Sequence, residues 1–218
     1  MSTPLLARLL GRPGLLTALA LALSTCCQAQ VGLLIGAATA AFDDKFYRAG
    51  PGSYQLNGAP WQPHAELRVS NSGMVVGKGK ATQRYWLDKF SQVVISADSF
   101  AVVGNARMGK ALKPVDGPLL GQRVWRQPQV ELFDFRALGG PLPLLRFPDQ
   151  TALVLPRRCR DYCDVMLLLV GDHPALAEQL RQGAFDASHT RQILSTYLAW
   201  KPAGFDTKAL SAAAPAAK

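Results

Sequence analysis

From residue 54 onward the apolar positions fall in short runs divided by Gly, Pro and Asn turn signals, a spacing that predicts strands before helices. Tyr54 and Leu56 stand between two Gly/Pro-rich turns. Residues 66–70 alternate polar and apolar, 71–73 (Asn-Ser-Gly) form a turn, and 74–77 resume an extended run, so this stretch predicts a hairpin. Three further extended pieces, 84–87, 93–95 and 100–103, are rich in aromatic and β-branched residues, with a turn at 97–99. Residues 129–136 come close to strict alternation, with Val130, Leu132, then Phe133 and Phe135 offering the apolar side. A shorter strand at 142–147 is interrupted by Pro143. Two strongly apolar runs, 151–155 and 165–170, read as strands joined by the polar connection 157–164. The second is apolar on both faces, which predicts a covered or central position.

After residue 171 the period changes. Asp172 caps a helix through 174–181, with Pro174 in its first turn and Gly183 as its stop. Ser188 or Asp186 caps another, in which Ile193, Leu194, Tyr197 and Leu198 share one face and Lys201-Pro202 ends the run. The expected fold class is therefore α+β: an antiparallel β-rich sheet or small curved barrel with two C-terminal helices. Its element order resembles that of a bacterial PH-like barrel, a curved sheet capped by a carboxy-terminal helix. No βαβ alternation and no internal repeat occurs.

The first 42 residues follow a different pattern. Arg8 and Arg12 precede the uninterrupted apolar stretch 15–23, and small polar residues follow, as in an export signal. Three outcomes fit: cleavage after Cys27-Gln28-Ala29, lipidation at Cys26, or retention as an anchor. For lipidation, Thr25 stands where a lipobox usually has Gly or Ala. For an anchor, no charge occurs between Pro13 and Phe42. The domain reading is then 1–29 as a signal peptide or part of an N-terminal membrane anchor, 43–202 as a single exported domain, and 203–218 as a flexible Ala/Pro-rich tail. All three outcomes place the body in the periplasm, soluble or attached to the membrane.

Charge adds a direction. The 218 residues carry a formal +9, and removing 1–29 takes away two arginines and no acid, leaving +7 on the body. Such a surplus suits anionic partners. Lys78, Lys80 and Arg84 in one Gly-rich stretch, with Arg107 and Lys110 in the basic stretch 104–121, are the candidate binding residues. Residues 104–111 have the glycine spacing and Gly-Lys of a phosphate loop. Ala111 stands where Ser or Thr must reach magnesium, however, and Pro114 blocks the helix that would follow. Tyr85 and Trp86 adjoin Arg84, but one of them is expected in the core, so no nucleic-acid face is expected.

Catalytic signals are sparse. Cys159 and Cys163 lie in an arginine-rich stretch between two expected strands, and an oxidising compartment predicts a disulfide between them. A redox dithiol is the alternative, favoured by Arg157, Arg158 and Arg160. His64, His173 and His189 are dispersed, and neither a Gly-x-Ser-x-Gly elbow nor a His-Glu-x-x-His helix occurs. No metal or cofactor is expected. The sequence therefore reads as a non-enzymatic envelope protein that binds another envelope component, a protein or an anionic lipid surface. The alternative is a periplasmic enzyme, either a thiol oxidoreductase or a hydrolase.

Overall fold

Twelve strands make one sheet, and their order explains where the core lies. The computed structural model describes residues 47–208 and Leu210, all within a unit that begins at Lys45. The strands are β1 (Arg48–Leu56), β2 (Trp61–Ser70), β3 (Gly73–Val76), β4 (Gln83–Trp86), β5 (Phe90–Ile95), β6 (Asp98–Val103), β7 (Ala106–Met108), β8 (Lys113–Pro114), β9 (Leu119–Gln127), β10 (Val130–Ala137), β11 (Gly140–Arg146) and β12 (Ala152–Val154). Three helices follow: α1 (Cys159–Val170), α2 (Pro174–Arg181) and α3 (Thr190–Trp200). Across the sheet the order is β4-β3-β2-β1-β5-β6-β9-β10-β11-β12-β7-β8. Every pairing is antiparallel except β12 with β7.

In the first half β1 to β4 run as a meander, and β5 crosses back to pair with β1 instead of β4; the inner face is closed with help from β9. Leu67, Val69, Met74, Phe90, Val93, Ile95, Phe100 and Leu120 form its core, with Tyr54 and Tyr85 packed against it. Strand β1 can lie against β5 because Gly52 faces the Val94 carbonyl, where an added Cβ would come within 2.0 Å of the oxygen. Asn71, in the β2–β3 turn, donates its side-chain amide to the Arg136 carbonyl at 3.1 Å and accepts a hydrogen bond from the Tyr47 hydroxyl. Burial pushes that hydroxyl up to about 12.

The second half curls. Strands β6 and β7 are separated by Gly104 and Asn105 alone, yet β6 pairs with β9 while β7 pairs with β12. The ladder between them thus returns toward its start without closing into a true barrel. Small residues permit the curl: Ala101, Ala106 and Ala152 lie beside Val103, Phe133, Leu144 and Val154 in this inner core. On the other face, Val130, Leu132, Leu145, Leu153 and Leu155 pack beneath the helices, against Tyr162, Val165, Met166, Leu176, Ile193 and Tyr197.

The α+β class stands, with three helices where two were expected. Residues 165–170, read as a strand, belong to α1, and the polar connection before them supplies its first turns. Met166 and the leucines 167–169 are good helix formers, and an apolar run of six residues does not by itself separate a covered strand from a covered helix.

This helix also overturns the expected disulfide. Cys159 and Cys163 are both free, the first exposed and the second buried. One helical turn apart, their Cβ atoms are held at about 5–6 Å, farther than a disulfide spans. The Cys163 thiol donates to the Phe185 carbonyl at 3.5 Å. Burial raises its pKa, and Cys159, Asp164 and Asp186 add to the rise, so the thiolate is disfavoured despite the nearby arginines.

Beyond α3 the chain turns back onto the sheet. Pro202 accepts from the Gln129 side chain, Phe205 stacks on Tyr197 at 5.0 Å, Thr207 donates to Asp149, and Leu210 is fully buried. Phe205, Thr207 and Leu210 belong to the 203–218 stretch expected to be a flexible tail, of which Ala209 and 211–218 lie outside the described residues, as do the 1–29 segment and Cys26.

Candidate anion-binding site

The densest charge cluster on the described residues sits on three adjacent strands, β9, β10 and β11. Cross-strand register places Glu131 of β10 directly between Arg126 of β9 and Arg146 of β11. Arg123, three residues before Arg126, would face the opposite side of a regular strand, because side chains alternate with period two. A bulge intervenes: Leu132 pairs with Trp125 and Phe133 with Arg123, so Val124 is the extra residue. Arg123 and Arg126 therefore share the face that carries Glu131 and Phe133, while Trp125 turns toward the helices.

Glu131 holds all three cations. Arg146 donates through Nε at 2.8 Å and through Nη2 to the carboxylate oxygen Oε2. Arg123 and Arg126 approach the other oxygen through Nε at 3.1 and 3.3 Å. Exposure separates the members, and it decides their energetics. Arg123, Glu131 and Arg146 retain 16%, 13% and 19% of their side-chain exposure, whereas Arg126 keeps 71%. Two guanidiniums are thus mostly withdrawn from water on a single, equally withdrawn carboxylate, and a third approaches from solvent.

Phe133 forms the floor. The Arg123 and Arg146 guanidinium carbons stand 5.6 and 5.2 Å from its ring centroid, within reach of cation–π attraction. Beneath the ring lies Gly121, where a Cβ would come within 2.7 Å of the Phe133 Cβ, so glycine lets the floor sit low. Arg123 is further fixed by donation from Nη1 to the Ser99 hydroxyl at 2.9 Å. Desolvation lowers its pKa most strongly. Glu131 opposes that loss, while repulsion from Arg126 and Arg146 adds to it. The Arg123 Nε is buried and makes no aligned hydrogen bond, although it stands within ion-pair distance of Glu131.

Above this cluster opens a pocket of about 250 Å3, walled by Gln92, Gln127 and Gln150 and by Pro128 and Pro148. Three guanidiniums against one carboxylate leave it a net +2. Donor groups remain for a ligand: among the described residues no protein acceptor engages Arg123 Nη2, Arg146 Nη1 or either terminal nitrogen of Arg126. Arginine suits the task, because its planar fork matches the oxygens of carboxylate or phosphate.

The residues singled out from sequence lie elsewhere. Lys78 pairs with Glu66 at 3.0 Å on the β3–β4 side, and Lys80 is exposed. Arg84 donates to Ser72 and lies 4.3 Å over the ring of Trp86, which is exposed, while Tyr85 packs inward. Arg107 donates to the Leu112 carbonyl on β7, and Lys110 pairs with Asp164 at 2.7 Å. These two groups stand at opposite ends of the strand order and build no common site. The local pattern of 119–127 does not predict a strand, and the bulge hides the shared face of Arg123 and Arg126. A visible clue was the sign pattern itself: Arg123, Arg126 and Arg146 flank an alternating strand with Glu131 on its polar side.

His173 accepts from the Leu176 backbone N–H at the start of α2, and His189 bonds Asp186 at the start of α3. Among the described residues no group of three His, Cys, Asp or Glu side chains is placed to hold a metal ion, and no helix is long and apolar enough to cross a membrane. No family model, curated protein or solved structure matches the chain.

Proposed function

We propose that the chain is a non-enzymatic protein of the cell envelope that binds an anionic envelope component through Arg123, Arg126 and Arg146. One observation carries the reading: two mostly buried guanidiniums and one exposed guanidinium converge on a single carboxylate at the foot of an open pocket. A surplus of buried positive charge is costly, and an entering anion offsets that cost. The export signal read in 1–29 puts this binding in the periplasm, with the body soluble or attached to the membrane.

Binding is favoured over catalysis by the state of the titratable groups. Glu131 is the one carboxylate lining the pocket; its Oε2 accepts from Arg146, and Arg123 and Arg126 stand 3.1 and 3.3 Å from Oε1, so guanidiniums rather than a substrate proton face both oxygens. The thiol alternative is disfavoured by the raised pKa of Cys163, since exchange needs a thiolate.

The test has two arms. Fractionation of cells expressing the whole chain should recover it in the periplasm or the membrane, and a cytosolic pool without membrane association would overturn the assignment. The isolated protein should float with vesicles containing anionic lipid more than with neutral vesicles, and added salt should weaken it. Retention by an anionic envelope protein instead of lipid, abolished by Arg126→Gln, would keep the site and change the partner. Equal recovery with neutral vesicles, together with no anion-dependent partner, would defeat the reading.

A further inference from the structure

Resting on that reading, we infer that the pocket takes a phosphate monoester as its dianion, in preference to a carboxylate or a phosphate diester. Charge matching is the first argument. Arg123, Arg126 and Arg146 against Glu131 leave +2, and a monoester carries about −1.5 to −2 near pH 7. A carboxylate or a diester carries a single charge and would leave one cation uncompensated in a partly desolvated site.

Donor geometry is the second argument. A terminal phosphoryl group presents three oxygens, and the nitrogens without a protein acceptor belong to three different side chains arranged around Glu131. A carboxylate has two oxygens in one plane and meets one arginine fork well. The third argument is size and lining. About 250 Å3 exceeds what one oxyanion fills, and the walls carry the amides of Gln92, Gln127 and Gln150. Amides donate to and accept from hydroxyls, so they suit the hydroxylated body that carries the ester. A lipid headgroup ending in phosphate and a soluble polyol or sugar phosphate both supply this chemistry.

The pocket lining contains three arginines, one carboxylate and no histidine, the side chain that ordinarily changes charge between pH 5 and 8. On β6, Asp98 is already engaged by Arg48 at 2.8 Å and by the Gln122 amide at 3.0 Å. A pH dependence of binding in that window therefore reports the ligand.

The experiment titrates the whole isolated protein with glycerol 3-phosphate, sulfate and acetate at pH 5.5 and 7.5, and measures recovery with vesicles of phosphatidic acid or phosphatidylglycerol at equal content. Glycerol 3-phosphate should bind about fourfold more tightly at the higher pH, following ionisation near pH 6. Sulfate, a dianion throughout, should bind alike at both, and acetate should bind weakly. Phosphatidic acid should recover more protein than phosphatidylglycerol. Displacement by glycerol 3-phosphate would show that a soluble source suffices; its failure, with phosphatidic acid still preferred, would assign the phosphate to a lipid headgroup. Arg126→Gln changes a residue that is 71% exposed and leaves the fold in place; it should cut glycerol 3-phosphate affinity roughly tenfold and narrow the gap to acetate. Acetate binding as tightly as glycerol 3-phosphate, or the two lipids recovering equal amounts where glycerol 3-phosphate does not bind, would overturn the monoester while leaving anion binding intact. No binding to any anion or vesicle would remove both.

Discussion

The β3–β4 stretch and the β9–β10–β11 strands carry charge of the same sign and use it differently. Lys78 lies 76% exposed beside its own partner Glu66, and Lys80 stands in solvent, so water has already screened both. Arg123 and Arg146 lie under less than a fifth of their full exposure and divide one carboxylate among three cations. The same formal charge is inert in the first place and unspent in the second. Burial and stoichiometry distinguish them, and a count of lysines and arginines reports neither.

The comparison breaks most decisively at Glu131. Its replacement by alanine leaves Arg123 and Arg146 withdrawn from water without a counter-charge, and should cost about 3 kcal/mol, the lower end for removing one partner of a buried pair. Thermal or denaturant unfolding checks this, and a loss below about 0.5 kcal/mol, the range of ordinary surface changes, would mean that the cluster is as well solvated as the β3–β4 lysines. Gly121→Ala attacks the floor instead. Its new Cβ meets that of Phe133 at 2.7 Å, an overpacking worth roughly 1–3 kcal/mol. Glycerol 3-phosphate affinity should fall with the shift of Phe133, because Arg123 and Arg146 rest on its ring.

Asp134 sharpens the contrast from the same strand as Glu131. It has no ion-pair partner among the described residues, and burial raises its pKa from 3.8. A raised carboxyl pKa means that folding favours the protonated form. Stability is therefore fully present below pH 3.8 and declines as pH rises through the folded value. Asp134→Asn should then match or exceed the parent melting temperature at pH 7, with the advantage fading below pH 4; a lower melting temperature at pH 7 would reveal a carboxylate that the fold uses. The smallest effect belongs to Lys78→Ala combined with Lys80→Ala. Stability should stay within about 0.5 kcal/mol of the parent, and glycerol 3-phosphate titration should be unchanged.

Local pattern carried the fold a long way. The alternation at 129–136 is β10, the Asn-Ser-Gly turn joins β2 to β3, and Pro174 and Gly183 bracket α2. Reading failed where local chemistry was ambiguous. Residues 165–170 are apolar at every position and so show no period, even though Leu168 is exposed on α1; Val165, Met166, Leu169 and Val170 enter the core that holds Leu153, Leu155, Leu176, Ile193 and Tyr197. The site was hidden for a different reason. Arg146 meets Glu131 across a strand pair fifteen residues apart, and Arg123 reaches the same face only through the bulge at Val124. Long-range register and a one-residue irregularity leave no periodic trace in the chain.

That extra residue makes chain length part of the binding site. Deleting Val124 would restore regular alternation in β9 and send everything on one side of the deletion to the opposite face. Arg123 would exchange places with core-facing neighbours, or Trp125 would leave the helices and Arg126 would enter them. Related chains can thus replace Val124 with almost any side chain, since it is 41% exposed, but they cannot drop it and keep both core and site. The position is constrained in number and nearly free in identity, a signature that gap patterns reveal and residue frequencies miss.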